Sequence, residues 1–254
     1  MEPDLNPFSL IRRSLPASLK STSIKLFDPV RECFVCPLCG YSGPFLRYGT
    51  GTIRRHACCP NCESLERHRL IWLIVEQLSE DYDLSSMRAL QFAPERCLRR
   101  RLGPMFCEYI TADISARNVD HHVDMCNLPF EDGSFDVVIA SHVLHYIRDE
   151  ASALRNLRRV LSPGGMAIIP VPIFSETTVE YPESIGGQVR APGHDYFDRC
   201  RSIFGSVRLY SSPDFDPQYQ VWIHEDRSDW PPHLSLRPSS PGKKHKEYVP
   251  VCFR

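Results

Sequence analysis

The sequence has no apolar run approaching the roughly 18 residues that a membrane-spanning helix requires, so a helical membrane protein is not expected. It also lacks a surplus of charge. Thirty Lys and Arg stand against 31 Asp and Glu, a net charge of −1, and no global basic field draws the chain to nucleic acid or anionic lipid. No apolar leader follows the acidic opening at Glu2 and Asp4, so a secretory signal is not expected and the expected location is the cytoplasm. Internal repeats and long low-complexity tracts are missing too. Glycine is sparse, 13 of 254 residues, and the stretch Leu90-Gln-Phe-Ala-Pro-Glu-Arg-Cys-Leu98 contains none.

Cysteine is plentiful. Eleven cysteines without a secretory signal argue against a disulfide framework and for metal ligation or buried thiols. Cys36-Pro-Leu-Cys39 and Cys59-Pro-Asn-Cys62 form matching C-P-x-C pairs separated by nineteen residues. A two-residue gap lets both thiolates of a pair face one ion, and two such knuckles complete a tetrahedron. The expected metal ligands are therefore Cys36, Cys39, Cys59 and Cys62. Zinc is favoured over iron because no redox feature accompanies them. Cys33 and Cys58 compete for ligand spacing but are expected to be spare, buried thiols. Such a closed site has no position for substrate, so its expected role is structural or in recognition.

Arg47, Arg54, Arg55, His56, Arg67, His68 and Arg69 cluster around the knuckles. Two readings stand side by side: an anion-recognising face that contacts RNA, and a solvated surface with local ion pairs. Upstream, the Ser-rich, basic segment Phe8–Phe27 suggests an amphipathic helix packed on the domain behind it.

Beyond the second knuckle, Leu65, Ile71, Trp72, Val75 and Leu78 recur at helical spacing. Extended segments then alternate with helical ones: Arg88–Ala93, Tyr109–Ala112, His121–Asp124 and Phe135–Ala140. A helix follows over Asp149–Leu161, and Pro163-Gly164-Gly165 divides it from a strand over Met166–Pro172. The run Phe-Asp-Val-Val-Ile-Ala suits a parallel strand covered on both faces. This alternation predicts an α/β fold with a Rossmann-like, doubly wound, mostly parallel sheet. A last strand is expected over Tyr248–Phe253, after a surface loop at Pro238–Lys246.

The segments ALQFAPE, YITADIS, VDMCNLPFEDGSFDVVIASHVLHYI and LRRVLSPGGMAIIPVP resemble class I S-adenosylmethionine-dependent methyltransferases of the type 11 group. With CPNCESLERHRLIWL, they resemble a subgroup carrying an N-terminal zinc ribbon. The organisation implied is an N-terminal helical extension (1–32), a zinc ribbon (33–64) and a methyltransferase domain (65–254). The resemblance implies that Asp113, with Ile114, serves the ribose of S-adenosylmethionine. It places Asp124 and Met125 at the adenine, and Ser141 and His142 facing the methyl group and acceptor. Physically, ligands of open parallel sheets do sit outside the carboxyl ends of the strands, near the switch point.

Aligned with the family's D-x-G-x-G-x-G, Gln91 takes the acidic position and Ala93, Glu95 and Cys97 take the glycines. Ala93 is tolerable there if its φ is negative. The missing glycines count against the pyrophosphate of NAD or FAD, and less against S-adenosylmethionine, which has none. Glu95 is then a candidate for the cofactor's ammonium group. The candidate bases are His142, His194 and Asp195, with Tyr196 beside them. No N/D-P-P-Y/F follows the fourth strand, and no Pro-Cys or Thr-Cys nucleophile, which disfavours amino-group gripping and cytosine C5 chemistry. The expectation is O- or N-methyl transfer to a small molecule, a saccharide, an RNA or a protein, with Tyr181–Lys246 forming most of the acceptor pocket. The competing reading is a non-catalytic zinc-ribbon adaptor with a degenerate methyltransferase fold.

Overall fold

A computed structural model describes residues 32–49, 54–225 and 244–254. The expected N-terminal helix at Phe8–Phe27 and the loop before residue 244 lie outside the described residues. The central sheet has seven strands, in the order β12-β15-β9-β8-β5-β6-β7. Their ranges are β5 Arg88–Phe92, β6 Glu108–Asp113, β7 His121–His122, β8 Phe135–Ala140, β9 Leu161–Ile168, β12 Ser206–Ser211 and β15 Tyr248–Phe253. Strands β5 to β9 run parallel, while β15 lies antiparallel between β9 and β12. The chain moves outward from β5 to β6 and β7, then returns to add β8 and β9 on the other side. The switch point therefore lies between β5 and β8. The fold is the Rossmann-like one expected, and β8 and β15 have the expected bounds.

Burial on both faces follows from the sequence of β8. Val137 and Ile139 enter one hydrophobic cluster, while Val138 and Ala140 enter another across the sheet. The second cluster is closed by the helices α3 (Glu150–Val160) and α4 (Asp195–Ile203). Asp149 caps α3 by accepting the Ser152 N–H at 2.9 Å. Pro163-Gly164-Gly165 does not separate this helix from a strand; it forms a bulge inside β9. Pairing with β8 slips between Phe135↔Leu161 and Val137↔Met166. Gly164 takes φ +80°, and a Cβ on Gly165 would lie 2.9 Å from the Asp136 carbonyl oxygen, so the bulge requires glycine.

The first cluster is capped by α1 (Glu66–Asp81) and by the cysteine-rich segment itself, through Phe34, Leu38 and Phe45. Residues Leu70 to Val75 are all buried, so α1 is enclosed nearly all round rather than along one stripe. The cysteine-rich segment contains the hairpin β1 (Phe34–Val35) and β2 (Ser42–Gly43), then β3 (Leu46–Tyr48) and β4 (Arg54–Cys58). It does not stand apart as residues 33–64. Strand β4 pairs with β13 (Ile223–Glu225), which pairs with β14 (Lys244–His245), giving one four-stranded sheet from both ends of the chain. Arg69 locks this union from α1. Its buried guanidinium donates to the carbonyls of Ala57, Ser64, Tyr219 and Gln220 and stacks 4.6 Å over Phe45. No helix among the described residues is long and apolar enough to cross a membrane.

Candidate active site and metal centre

The two C-P-x-C turns have the same local geometry. In the first, Cys36 N–H donates to Tyr41 O and Gly40 N–H to Cys36 O; in the second, Cys59 N–H donates to Ser64 O and Glu63 N–H to Cys59 O. Gly40 (φ +72°) and Glu63 (φ +61°) both take the left-handed conformation that curls backbone N–H groups around a sulfur. The four Sγ atoms of Cys36, Cys39, Cys59 and Cys62 lie within 4.8 Å of one another. Cys36–Cys62 and Cys39–Cys59 are each 3.6 Å apart. A tetrahedral ion with sulfur at about 2.3 Å has edges of about 3.8 Å, so the set can hold one metal ion. Ser64 Oγ lies 3.3 Å from Cys36 Sγ and 3.2 Å from Cys62 Sγ, placed to support thiolate charge. Cys33 is exposed, not the buried thiol expected, because it precedes β1 and has no sheet partner beside it. Cys58 is half-buried, with its sulfur toward the Cys59 carbonyl.

Three concavities can be compared. Two are of about 800 Å³ each, and the second of them shares Glu95 with the third cavity. One is lined by Arg155, Arg158, Arg159 and Arg254, and the other lies between the knuckles and α2 (Arg96–Leu102). The third, of about 590 Å³, sits at the carboxyl ends of β5 and β8, where the topology places a ligand. Ala93, Glu95, Ser141 and His142 line it from the sheet; Tyr48 and Arg54 come from the cysteine-rich segment and Arg67 from α1. Ile223, Glu225 and Glu247 close it from the other end of the chain. The cysteine-rich segment is thus a wall of the cavity.

Two residues at its floor have left-handed backbone: Ala93 (φ +45°) and His142 (φ +55°). The expectation of a negative φ at Ala93 is overturned. The chain must turn sharply off β5, with Ala93 N–H still held by Ala112 O at 2.9 Å, and only the left-handed region accomplishes both. Alanine thus holds, under strain, a conformation that glycine adopts freely.

Glu95 is the electrostatic centre. It faces His68 Nε2 at 3.3 Å and Arg67 Nε at 3.7 Å, and accepts from Gln91 Nε2 at 3.3 Å. Burial pushes its pKa up, but His68, Arg67 and nearby Ser141 outweigh burial and hold it below the usual carboxylate range. His68 stays neutral, since burial lowers its pKa and its Nδ1 accepts the Leu65 N–H at 3.1 Å, leaving the proton on Nε2. Burial likewise drives His142 well below 6.5, and His145 to about 3, with His142 and Arg190 adding to the effect on His145. His142 Nε2 lies 3.5 Å from Glu247 Oε1, and it, Ser141 Oγ and His145 Nδ1 are buried without a hydrogen bond among the described residues.

The remaining anticipated residues are scattered. Asp113 ends β6 half-buried, but its Oδ1 accepts from the N–H groups of Ser115 and Ala116 at 2.8 Å, as a turn cap does. Ile114 beside it is 71% exposed, an apolar platform next to a carboxylate. Asp124 is exposed and caps Cys126 N–H at 2.8 Å, whereas Met125 is buried in the core and presents no face to a ring. His194 packs between Phe197 and Tyr248, and Asp195 binds Thr178 and Arg199; neither lines the cavity. Tyr196 is buried, donating to Ile169 O at 2.7 Å. The basic cluster also turns inward: Arg69 and His68 are buried and Arg54 and Arg67 line the cavity, leaving Arg47 and Arg55 exposed. Glu225, Glu247 and Gln188 also line it, and no local sequence signal marks them.

A parallel sheet in this order, with one antiparallel strand next to its edge and a polar cavity at the switch point, is the Rossmann-like arrangement expected of class I methyltransferases. Residues 88–169 match the family described as "Methyltransferase domain". Among curated relatives, a demethylmenaquinone methyltransferase of Staphylococcus epidermidis is 30% identical over 116 residues, covering 46% of this chain and 42% of the relative. The 27-O-demethylrifamycin SV methyltransferase of Amycolatopsis mediterranei is 36% identical over 86 residues, 32% of each. The chain thus spans less than half the length of these curated relatives. A solved S-adenosylmethionine-dependent methyltransferase from Mesorhizobium loti superposes with TM-score 0.49 at 15% identity, covering 73% of this chain and 98% of that one.

Proposed function

We propose that the protein is an S-adenosylmethionine-dependent methyltransferase acting on an oxygen nucleophile of a small molecule, with a structural zinc held by Cys36, Cys39, Cys59 and Cys62. The observation that carries this reading is the cavity at the carboxyl ends of β5 and β8, where the His142 imidazole, 3.5 Å from Glu247, stands with Ala93 and Glu95.

The residues at the switch point fit the cofactor. Glu95, held ionised, suits its ammonium group; Asp113 and exposed Ile114 suit the ribose and adenine; buried Ser141 Oγ has hydrogen-bonding capacity to give. When bound, S-adenosylmethionine supplies an electrophilic methyl group on a leaving group already activated by its positive charge. The chain's task is to position the acceptor, exclude water and remove a proton. A neutral amine nucleophile needs no base in the bond-forming step, whereas a hydroxyl does. His142 Nε2 approaches Glu247 at 3.5 Å, and Nδ1 is assigned as the proton acceptor. The acceptor oxygen, freed of its proton at His142, would then be held facing the methyl group that the cofactor would supply. A cavity of about 590 Å³ is the size of small-molecule sites and leaves no room for a nucleic-acid helix. RNA is disfavoured further because most of the basic cluster faces inward. The adaptor reading is disfavoured because buried polar atoms of Arg67, Ser141 and His145 converge on a cavity with nothing else to serve.

The test is calorimetry with S-adenosylmethionine and S-adenosylhomocysteine on metal-loaded protein, followed by methyl-transfer assays on hydroxyl and amine acceptors. Micromolar cofactor binding is expected. Activity on hydroxyls should fall on His142→Gln with cofactor affinity preserved; absence of binding at millimolar cofactor would sink the proposal.

A further inference from the structure

Arg67 stands in the first turn of α1, five residues after Cys62, yet its guanidinium reaches the cavity. Its Nε is buried and makes no hydrogen bond among the described residues. The approach to Glu95 Oε1, 3.7 Å, falls short of a charge-assisted hydrogen bond, which closes at about 2.7–2.9 Å. Glu95 accepts from Gln91 Nε2 at 3.3 Å and faces His68 Nε2 at 3.3 Å, both at the long end of the hydrogen-bond range. A guanidinium with an unbonded Nε beside a carboxylate, both lining the cavity, has donor capacity still to be met there. Ligand chemistry satisfying both together is an α-amino acid zwitterion, carboxylate to Arg67 and ammonium to Glu95.

We propose that Arg67 binds the α-carboxylate of the cofactor's methionine moiety, completing from the helix behind the metal knuckle a site that the glycine-free loop leaves unfinished. This rests on the cofactor reading above. The loop after β5 lacks the glycines through which backbone N–H groups come close to a ligand, so a side-chain cation takes on that task. The position of Arg67 is fixed from both ends. Behind it, Ser64 and Leu65 connect directly to the second knuckle; beside it, His68 is anchored by the Leu65 N–H and reaches the same carboxylate oxygen of Glu95. The metal-binding segment thereby orients the cofactor clamp as well as walling the cavity.

The test uses metal-loaded full-length protein and two probes, S-adenosylmethionine and decarboxylated S-adenosylmethionine, which keeps the ammonium and sulfonium and lacks only the carboxylate. By calorimetry the wild type should bind S-adenosylmethionine about tenfold or more tighter than the decarboxylated form. Arg67→Gln should erase that preference and leave affinity for the decarboxylated ligand within about twofold, which also reports an intact fold; Arg67→Lys should retain part of the preference. Equal wild-type affinity for the two ligands would overturn the proposal, as would Arg67→Gln weakening both alike. If the wild type bound neither, the cofactor reading would fail and the clamp with it. Should Arg67→Gln not fold, the wild-type comparison still decides.

Discussion

Replacing Arg69 by alanine should destabilise the protein more than any substitution at the cavity surface. The guanidinium is fully buried and satisfies carbonyls from three segments: Ala57 in β4 at 2.9 Å, Ser64 in the second knuckle at 2.8 Å, and Tyr219 and Gln220 before β13 at 3.0 Å. Removing it strips a strong donor from four carbonyls, of which Ser64 O keeps the Cys59 N–H, and each buried acceptor left with no donor costs about 1–3 kcal/mol. Glu66, buried beside it, loses one of its two cationic neighbours, the other being Arg54 at 3.2 Å. Against these losses, the mutant no longer bears the several kcal/mol of desolvating a guanidinium. Measured cases of breaking a buried ionic contact from one side give a net loss of about 3–5 kcal/mol, a large part of the roughly 5–15 kcal/mol total for a domain. Urea denaturation of metal-loaded protein, followed by far-UV circular dichroism, should show this as a lowered midpoint. Arg69→Lys should recover less than half, because three donors on one nitrogen cannot reach carbonyls on opposite sides. A loss below about 1 kcal/mol for Arg69→Ala would refute the argument that this side chain joins the two ends of the chain.

The other expectations concern metal, pH and strain. Elemental analysis should find about one zinc per chain, lost on Cys39→Ser and retained on Cys33→Ser, since only the former sulfur belongs to the tetrahedral set; retention in Cys39→Ser would mean a different ligand set. His145 is neutral when folded, with a pKa of about 3 against 6.5 for an ordinary imidazole, so the unfolded chain takes up the proton first. Its contribution to stability is intact above the ordinary value and falls as pH drops from there toward about 3, at about 1.4 kcal/mol per pH unit. His145→Phe should flatten the dependence of urea midpoints on pH in that window, and an unchanged slope would contradict the assignment. Ala93→Gly should relieve about 1–2 kcal/mol of left-handed strain, partly offset by about 0.4–1 kcal/mol of unfolded-state entropy. Thermal melts should therefore show a small gain or no change; a loss beyond about 1 kcal/mol would mean the alanine methyl is needed for packing.

Periodic signals were readable without coordinates. The β-branched run at Phe135–Ala140 could only be a covered strand, and Asp149 before Ala153, Leu154 and Leu157 wrote its own helix cap and stripe. The paired C-P-x-C turns announced the four-sulfur cluster because a two-residue gap dictates a local geometry. Less of the site was legible. Asp113 and Ser141 stand at strand ends because the register of β6 and β8 carries them there. His194 and Asp195, polar and in the right region of the chain, instead serve a local network and an aromatic contact. The arginines misled most. In sequence they form one basic cluster, yet Arg69 is buried, Arg54 and Arg67 face the cavity, and Arg55 remains outside.

By itself, then, the sequence determined what depends on neighbours a few residues apart: the alternation of strands and helices, the knuckles, and a cofactor loop without glycine. Tertiary structure alone decided what depends on residues far apart along the chain. The pairing of β4 with β13 makes the cysteine-rich segment a cavity wall, and Glu247 comes to His142 from about a hundred residues further along. It also set the sign of φ at Ala93, because the bend there is imposed by where β5 ends and the next helix must begin. A side chain's direction is fixed by such packing and by the satisfaction of buried polar groups, neither of which has a local signature.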